Sequence, residues 1–213
     1  MGYVIKEAFL TLQGEGGQAG RVAVFCRFAG CNLWSGREAD RSTAVCQFCD
    51  TDFVGSDGVG GGRFETAASL AEHIAQFWPG EIDKPGQPLV VLTGGEPTLQ
   101  VDADLVSHLK ARGFEIAIET NGTRTVPAGV DWITVSPKST APLVQTAGSE
   151  LKLVYPQVDA DPANFEQLDF SFFFLQPMDG PARAANTRAT IDYCLRHPRW
   201  RLSVQVHKDL GIR

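Results

Sequence analysis

Seven short apolar runs recur along this chain, and nearly every one stops at a polar cluster. The runs lie at 22–28, 88–93, 114–119, 131–136, 151–155, 170–176 and 201–207. Each has the length of a strand, and several are separated by helical patterns. At 65–78, Ala67, Leu70, Ile74 and Phe77 recur at helical spacing. At 101–112, Val101, Leu105 and Leu109 share a face, and Gly113 supplies a stop. Pro181 suits the first turn of a third helix with Ala184, Ile191 and Leu195 on its apolar side, and Cys194 beside Ile191 reads as core. Strand, helix, strand in succession predicts an α/β fold with a parallel sheet and crossover helices. Residues 4–12 and 20–28 read as an opening strand pair. The stretch from Gly55 to Gly62 reads as a flexible loop, without the Gly-Lys-Ser/Thr of a phosphate cradle. No repeat or linker divides the chain, so 1–213 reads as one domain.

The polar clusters stand at the strand ends: Thr93 to Pro97, Glu119 to Gly122, Ser136 to Lys138, Gln176 to Asp179, and His207-Lys208. In parallel α/β folds, sites form at the carboxyl ends of strands. Side-chain alternation adds a second clue. Ile116 and Ile118 share one face while Ala117 and Glu119 share the other; Leu202, Val204 and Val206 alternate with Ser203, Gln205 and His207. One face can pack on helices, and the other is polar enough to surround a polar small molecule. Arg27, Thr93, Glu119, Ser136, Gln176, Gln205 and His207 are the candidates to line such a lumen.

Charge and hydropathy exclude several classes. Nineteen Lys and Arg against 25 Asp and Glu leave a net charge of −6, and no basic run is present, which argues against a nucleic-acid-coating surface. Apolar residues at 43% suffice for a core. No run is long enough to span a bilayer, and the N-terminus lacks an apolar signal region. The expectation is a cytoplasmic protein that neither enters a membrane nor binds nucleic acid.

The five cysteines narrow the chemistry. Cys31, Cys46 and Cys49 are spaced C-x14-C-x2-C, and no fourth Cys lies near them to complete a closed zinc site. Three thiolates without a fourth suit a four-iron cluster with one iron left open to an exogenous ligand. Cys26 alternates with Val22, Val24 and Phe28 and reads as core.

These cysteines, with Phe48 just before the last of them and Gly94-Gly95-Glu96-Pro97 downstream, resemble the radical S-adenosylmethionine (SAM) enzymes. There, three Cys usually spaced C-x3-C-x2-C hold a [4Fe-4S] cluster, and a Gly-Gly-Glu-Pro strand end meets the methionyl amine of SAM. The longer first spacing and other segments point to a narrower resemblance. Thr11 to Gly16, Phe25 to Trp34, Cys49 to Asp52, Glu119 to Gly122, Ser136 to Lys138, Gln176 to Gly180 and His207-Lys208 are similar to the 7-carboxy-7-deazaguanine synthase family. Some members of that family carry the expanded spacing, and the likeness covers essentially the whole chain.

The resemblance implies a shortened, open (β/α) barrel of partial TIM type. It also implies a lyase reaction on the queuosine route: 6-carboxy-5,6,7,8-tetrahydropterin contracts to 7-carboxy-7-deazaguanine with loss of ammonia. The radical from SAM takes the hydrogen at C6, and SAM is regenerated. By the same resemblance Cys31, Cys46 and Cys49 hold the cluster. Phe48, Asp50, Gly95, Ser136, Pro137, Lys138, Gln176, Pro177, Met178 and Asp179 contact SAM. Leu12, Gln13, Gly14, Arg27 and Thr93 contact the pterin, and Thr51 ligates Mg²⁺. A guanidinium in the lumen suits the substrate's carboxylate on chemical grounds too. Glu15, Glu119 and His207 are added as acceptors for the pterin's amino and ring N–H groups, and Arg213 is expected near the pocket. The family's members are homodimers. An electron donor such as flavodoxin or ferredoxin is expected.

Two other readings are weighed. A radical-generating activase of a protein partner would share the cluster, but the polar lumen and Gln13-Gly14-Glu15 argue against it. A zinc-binding module without catalysis is disfavoured by the three-Cys count. Nothing in the sequence prescribes how 32–45 folds.

Overall fold

The computed structural model describes residues 2–79 and 86–213. Strands β1 (Tyr3–Leu12) and β2 (Val22–Phe28) form the antiparallel opening pair, and a short β3 (Gly62–Phe64) joins the outer side of β1. From β2 onward all pairings are parallel. β4 (Leu89–Gly94), β5 (Glu115–Thr120), β6 (Trp132–Val135), β7 (Ala147–Tyr155), β8 (Asp169–Pro177) and β9 (Trp200–Leu202) follow in chain order. β3 and β9 are the two edges of this nine-stranded sheet, so the architecture is an open, partial (β/α) barrel, as expected.

Helices cover the outer face. α1 (Ala67–Ala75) starts where Thr66 accepts the Ser69 N–H, and α2 (Ala103–Ala111) starts where Asp102 accepts that of Leu105. Their Leu70, Ile74, Leu105 and Leu109 pack with Ile5, Val24, Cys26, Leu92 and Ile116 into one core. Each large aliphatic side chain buried there contributes about 1.5–3 kcal/mol. A second core around Val135, Leu151, Leu153 and Leu175 lies beneath α3 (Arg183–Arg196). No helix among the described residues is long and apolar enough to cross a membrane.

Two expectations are corrected. The predicted strand at 201–207 stays in the sheet only through Leu202. The Ser203 N–H donates to Leu175 O at 2.9 Å, the chain then turns, and residues 206–210 form a short helix, α4 (Val206–Leu210). β9 is an edge, so nothing beyond it rewards continued extension, while the Val206 N–H finds the carbonyl of Gly14 at 3.1 Å. Gln205 and His207 therefore approach the lumen from the start of a helix. Leu202 is left 40% exposed instead of packing beneath a helix.

The second correction concerns α3. Pro181 precedes the helix by two residues, and Ala184, Ile191 and Leu195 are exposed. The buried side carries Thr190, with Tyr193 and Cys194 packing on the second core. Ile191 is one residue, or about 100° of helix, past Thr190 and points off the sheet.

The segment after β1 crosses the open side of the barrel. The Gly16 N–H donates to Ser203 Oγ at 2.9 Å and the Gly17 N–H to Glu150 Oε2 at 2.7 Å. Gly16 has φ +64°, and a Cβ there would lie 2.3 Å from Glu150 Oε1, so both backbone and space require glycine.

Candidate active site

A cavity of about 380 Å³ opens at the carboxyl ends of the parallel strands and extends into the lumen. Its wall gathers nearly every residue the sequence singled out. Leu12, Gln13, Gly14 and Glu15 come from the end of β1 and the crossing segment, and Arg27 from β2. Cys31, Cys46, Phe48, Cys49, Asp50 and Thr51 lie on the loop after β2. Thr93 and Gly95 end β4, Glu119 comes from β5, and Ser136 and Lys138 follow β6. Gln176, Pro177, Met178 and Asp179 end β8, while Gln205, His207 and Arg213 come from α4 and its flanks. Pro137 is outside the lining; it is buried, and its carbonyl accepts from Gln157 Nε2 at 3.3 Å.

At the cluster end, Cys31, Cys46 and Cys49 are free thiols on one wall. No three His, Cys, Asp or Glu side chains among the described residues converge as the ligands of one metal ion would. Three free thiols on one wall are the donor set that a [4Fe-4S] cluster with one iron left open would take. The neighbouring Cys46 thiol holds that of Cys49 down to about 6, and the same neighbour together with burial pushes Cys46 up. Lys138 is the nearby cation. Burial lowers its pKa, the thiols of Cys46 and Cys49 oppose that effect, and its Nζ donates to Ser136 O and Oγ at 2.7 and 2.6 Å.

The expanded segment now has a path. Leu33 and Trp34 turn inward and are buried, Trp34 packs edge-on against Phe53 at 5.5 Å, and a 3-10 turn spans Glu38–Thr43. The Cys46 N–H returns to Leu33 O at 3.3 Å, which closes the loop beside the cysteines.

The Gly-Gly-Glu strand end has a role the sequence did not disclose. The N–H groups of Gly95 and Glu96 donate to Phe28 O and Gly30 O at 3.1 and 2.9 Å. A Cβ on Gly95 would lie 2.1 Å from Gly30 O, so glycine is required by the backbone that leads into Cys31. Glu96 is fully buried and points away from the cavity. It accepts from Thr98 N and Oγ1, Thr120 Oγ1 and Asn121 N, at 2.6–3.0 Å. One carboxylate thus ties the end of β4 to the end of β5.

In the lumen, charges are paired within the protein. Arg27 Nε donates to Glu7 Oε1 at 2.8 Å. Lys152 is buried against Glu15 and lies 3.5 Å from Glu119 Oε1. Glu119 also accepts from Gln13 Nε2 at 3.0 Å and Thr93 Oγ1 at 3.3 Å, and Glu15 from Gln205 Nε2 at 3.0 Å. Burial opposes ionisation of both Lys152 and Glu15, yet their attraction wins. Lys152 is held charged by Glu119, Glu15 and Glu150, and Glu15 is brought down to about 2 by Lys152 and Gln205. At the mouth, Lys208 Nζ bridges Asp50 and Asp179 at 2.5 Å each. Arg213 Nη1 lies 3.8 Å from Glu7, and its carbonyl accepts from Thr11 Oγ1 at 2.7 Å. Thr51 offers a single hydroxyl; its neighbour Asp52 is engaged by Lys6 at 2.8 Å. That donor set suits Mg²⁺ only if waters and substrate oxygens complete its shell.

Glu7 and Lys152 escaped the sequence reading. Lys152 had a signal, a charge between Leu151 and Leu153 in an apolar strand. Glu7 had none, because a bulge in β1 between Ile5 and Glu7 shifts the alternation that places it opposite Arg27.

The comparisons with known proteins agree with this geometry. The family model of the Radical SAM superfamily matches residues 41–152. The 7-carboxy-7-deazaguanine synthases of Caulobacter vibrioides and Bradyrhizobium diazoefficiens are 65% and 64% identical to this chain, with 100% of each chain covered. The crystal structure of QueE from Escherichia coli is similar at TM-score 0.71 and 28% identity, covering 97% of this chain and 95% of that one.

Proposed function

Because this chain belongs to the 7-carboxy-7-deazaguanine synthases of the radical SAM superfamily, we propose that its lumen binds 6-carboxy-5,6,7,8-tetrahydropterin as the substrate of that synthase reaction. The enzyme is a radical SAM lyase of queuosine biosynthesis, with a [4Fe-4S] cluster and SAM as cofactors. Membership sets aside both the protein-activase and the zinc-module readings. The observation that carries the substrate reading is a single cavity with three thiols at one end and a polar, charge-paired lumen at the other.

The cluster and SAM supply a one-electron cleavage of the sulfonium and hence a hydrogen-abstracting radical. The chain's own residues hold and orient these groups and the substrate. Cys31, Cys46 and Cys49 would hold the cluster, with Phe48, Asp50, Gly95, Ser136, Lys138, Gln176, Pro177, Met178 and Asp179 around SAM. Pro137 would act only by turning the chain between Ser136 and Lys138. Arg27 spends Nε on Glu7, which leaves its two terminal nitrogens for the substrate's carboxylate. Gln13, Glu15, Glu119 and His207 would meet the pterin's amino and ring N–H edge. Lys152 keeps Glu15 ionised and therefore accepting, and it lies 3.5 Å from Glu119. Leu12, Gly14, Thr93 and Arg213 complete the wall, and Thr51 would hold Mg²⁺ together with substrate oxygens.

We propose further that residues 1–213 act as one domain, as a homodimer in the cytoplasm, reduced by a flavodoxin or ferredoxin. The test is anaerobic turnover of the reconstituted protein with SAM, reductant, Mg²⁺ and the tetrahydropterin, with deazapurine and ammonia measured together. Equimolar release of both is the expected result. Brown protein that cleaves SAM yet leaves the tetrahydropterin unchanged would overturn the substrate reading.

A further inference from the structure

The expanded segment between Cys31 and Cys46 carries a side chain that touches the cysteine loop from behind. Arg41 Nη1 donates to the carbonyls of both Gln47 and Cys49, at 2.9 and 3.0 Å. Its Nε is turned the other way and held by both oxygens of Glu38, at 2.8 and 2.9 Å. The guanidinium carbon lies 4.1 Å over the Trp34 ring, and Trp34 is itself buried against Phe53. Three restraints thus fix the plane of one guanidinium: a carboxylate, an aromatic face and a pair of backbone oxygens. The residues on either side of Arg41 have no such arrangement. Asp40 bonds Ser35 within the segment, and Ser42 gives its carbonyl to Gln47.

A carbonyl pair held by one charged donor resists separation, because a hydrogen bond to a charged group is stronger than a neutral one. The two carbonyls belong to residues just after Cys46 and at Cys49 itself, so the contact fixes the part of the loop from which both thiols emerge. A shorter cysteine spacing would leave no room for this device. The long segment therefore supplies its own brace.

We propose that Arg41 is a positioning residue of the cluster site, which holds the Cys46–Cys49 loop in its ligating shape through the carbonyls of Gln47 and Cys49. The inference rests on the assignment of Cys31, Cys46 and Cys49 as cluster ligands. Its consequence concerns retention: without the brace, the loop opens more often and the irons are more accessible.

The test compares the reconstituted parent, Arg41→Ala, Arg41→Lys and Arg37→Ala. Arg37 is exposed on the same segment, and its alanine variant removes a positive charge without touching either carbonyl. The readouts are the rate at which an iron chelator strips the cluster and the amide hydrogen exchange of residues 47–51 in the metal-free protein. Arg41→Ala should lose iron roughly tenfold faster than the parent, the scale set by losing a charge-assisted hydrogen bond. Its exchange at 47–51 should rise while thermal unfolding of the sheet is unchanged. Arg41→Lys, whose ammonium can still reach one carbonyl, should fall between, and Arg37→Ala should match the parent. Iron loss and exchange in Arg41→Ala at parental rates would overturn the proposal. So would equal acceleration in Arg41→Ala and Arg37→Ala, since that would make loop charge the cause. A parent that takes up no iron would instead refute the cluster assignment, a distinct outcome.

Discussion

The two ends of the cavity are built on opposite principles. In the lumen, each charged group already has a partner: Arg27 has Glu7, and Lys152 has Glu15 and Glu119. Glu15 lies on the crossing segment and Glu7 follows a bulge, while Arg27, Glu119 and Lys152 sit on strands at positions that follow from side-chain alternation and register. At the cluster end the wall is loop, the thiols of Cys31, Cys46 and Cys49 face open space, and the ordering is done by backbone carbonyls and N–H groups. The difference teaches where binding energy must come from. Around the cysteine sulfurs the contacts within the protein are long, Leu33 N–H to Cys31 Sγ at 3.4 Å and Cys49 Sγ to Thr51 O at 3.9 Å, so an incoming cluster has little to displace. The lumen is preorganised, so a substrate there must compete with, or add to, existing pairs.

The comparison is broken most severely at the sulfurs. Cys31→Ala, Cys46→Ala or Cys49→Ala should each abolish iron binding and all SAM cleavage, whereas Cys26→Ala and Cys194→Ala should retain both and lose only stability. Iron content and 5′-deoxyadenosine release decide this, and full iron in Cys46→Ala would remove that residue from the ligand set.

Next comes the lumen's central cation. Lys152→Met should strand Glu15 and Glu119 without a counter-charge and cost about 3–5 kcal/mol, measured by denaturant unfolding. Its pH dependence has a definite sign. The carboxyl of Glu15 is depressed from 4.5 to about 2 in the folded protein, so the stability it contributes is complete above the ordinary carboxylate range and is lost as pH falls from there toward 2. Lys152→Met should flatten that acid limb; an unchanged limb would mean that other carboxyls produce it.

A smaller effect is expected at Arg27. Arg27→Ala should weaken substrate binding by about 2–5 kcal/mol while SAM binding holds, and Arg27→Lys should recover only part, because an ammonium cannot serve Glu7 and a carboxylate in one plane. Parental tetrahydropterin affinity in both variants would reduce Arg27 to a structural partner of Glu7. The mildest change is Thr51→Ala. It should raise the Mg²⁺ concentration needed for half-maximal turnover and leave the iron content as it was, and an identical Mg²⁺ titration would take Thr51 out of the metal site.

The same contrast explains what could be read in advance. Parallel strands with polar ends announce themselves through period-two alternation, so Arg27, Thr93 and Glu119 were placed facing inward, with Cys26 facing out. Alternation failed where local geometry breaks it: at the β1 bulge that hides Glu7, and beyond Leu202, where the chain leaves the sheet. Apolar spacing also misled on α3, because Ala184, Ile191 and Leu195 share a stripe that the helix turns outward. In the loop, residue identity showed which chemistry to expect but not its shape. The brace of Trp34 and Arg41 depends on tertiary contacts that no local periodicity encodes.

The strap from Gln13 to Gly17 has a consequence for traffic. It joins the end of β1 to β7 and to the chain just past β9, strands far apart in the sheet order, through the Gly17–Glu150, Gly16–Ser203 and Val206–Gly14 bonds. A sheet hasped in this way cannot unroll sideways to admit a bulky heterocycle. Molecules must come and go past the mouth, where Lys208, Asp50 and Asp179 form exposed ion pairs that water can replace at little cost. Since Asp50 and Asp179 also belong to the proposed SAM wall, a pterin bound in the lumen as proposed would have to enter before SAM and leave after it. A compulsory order of this kind would be visible in product-inhibition patterns.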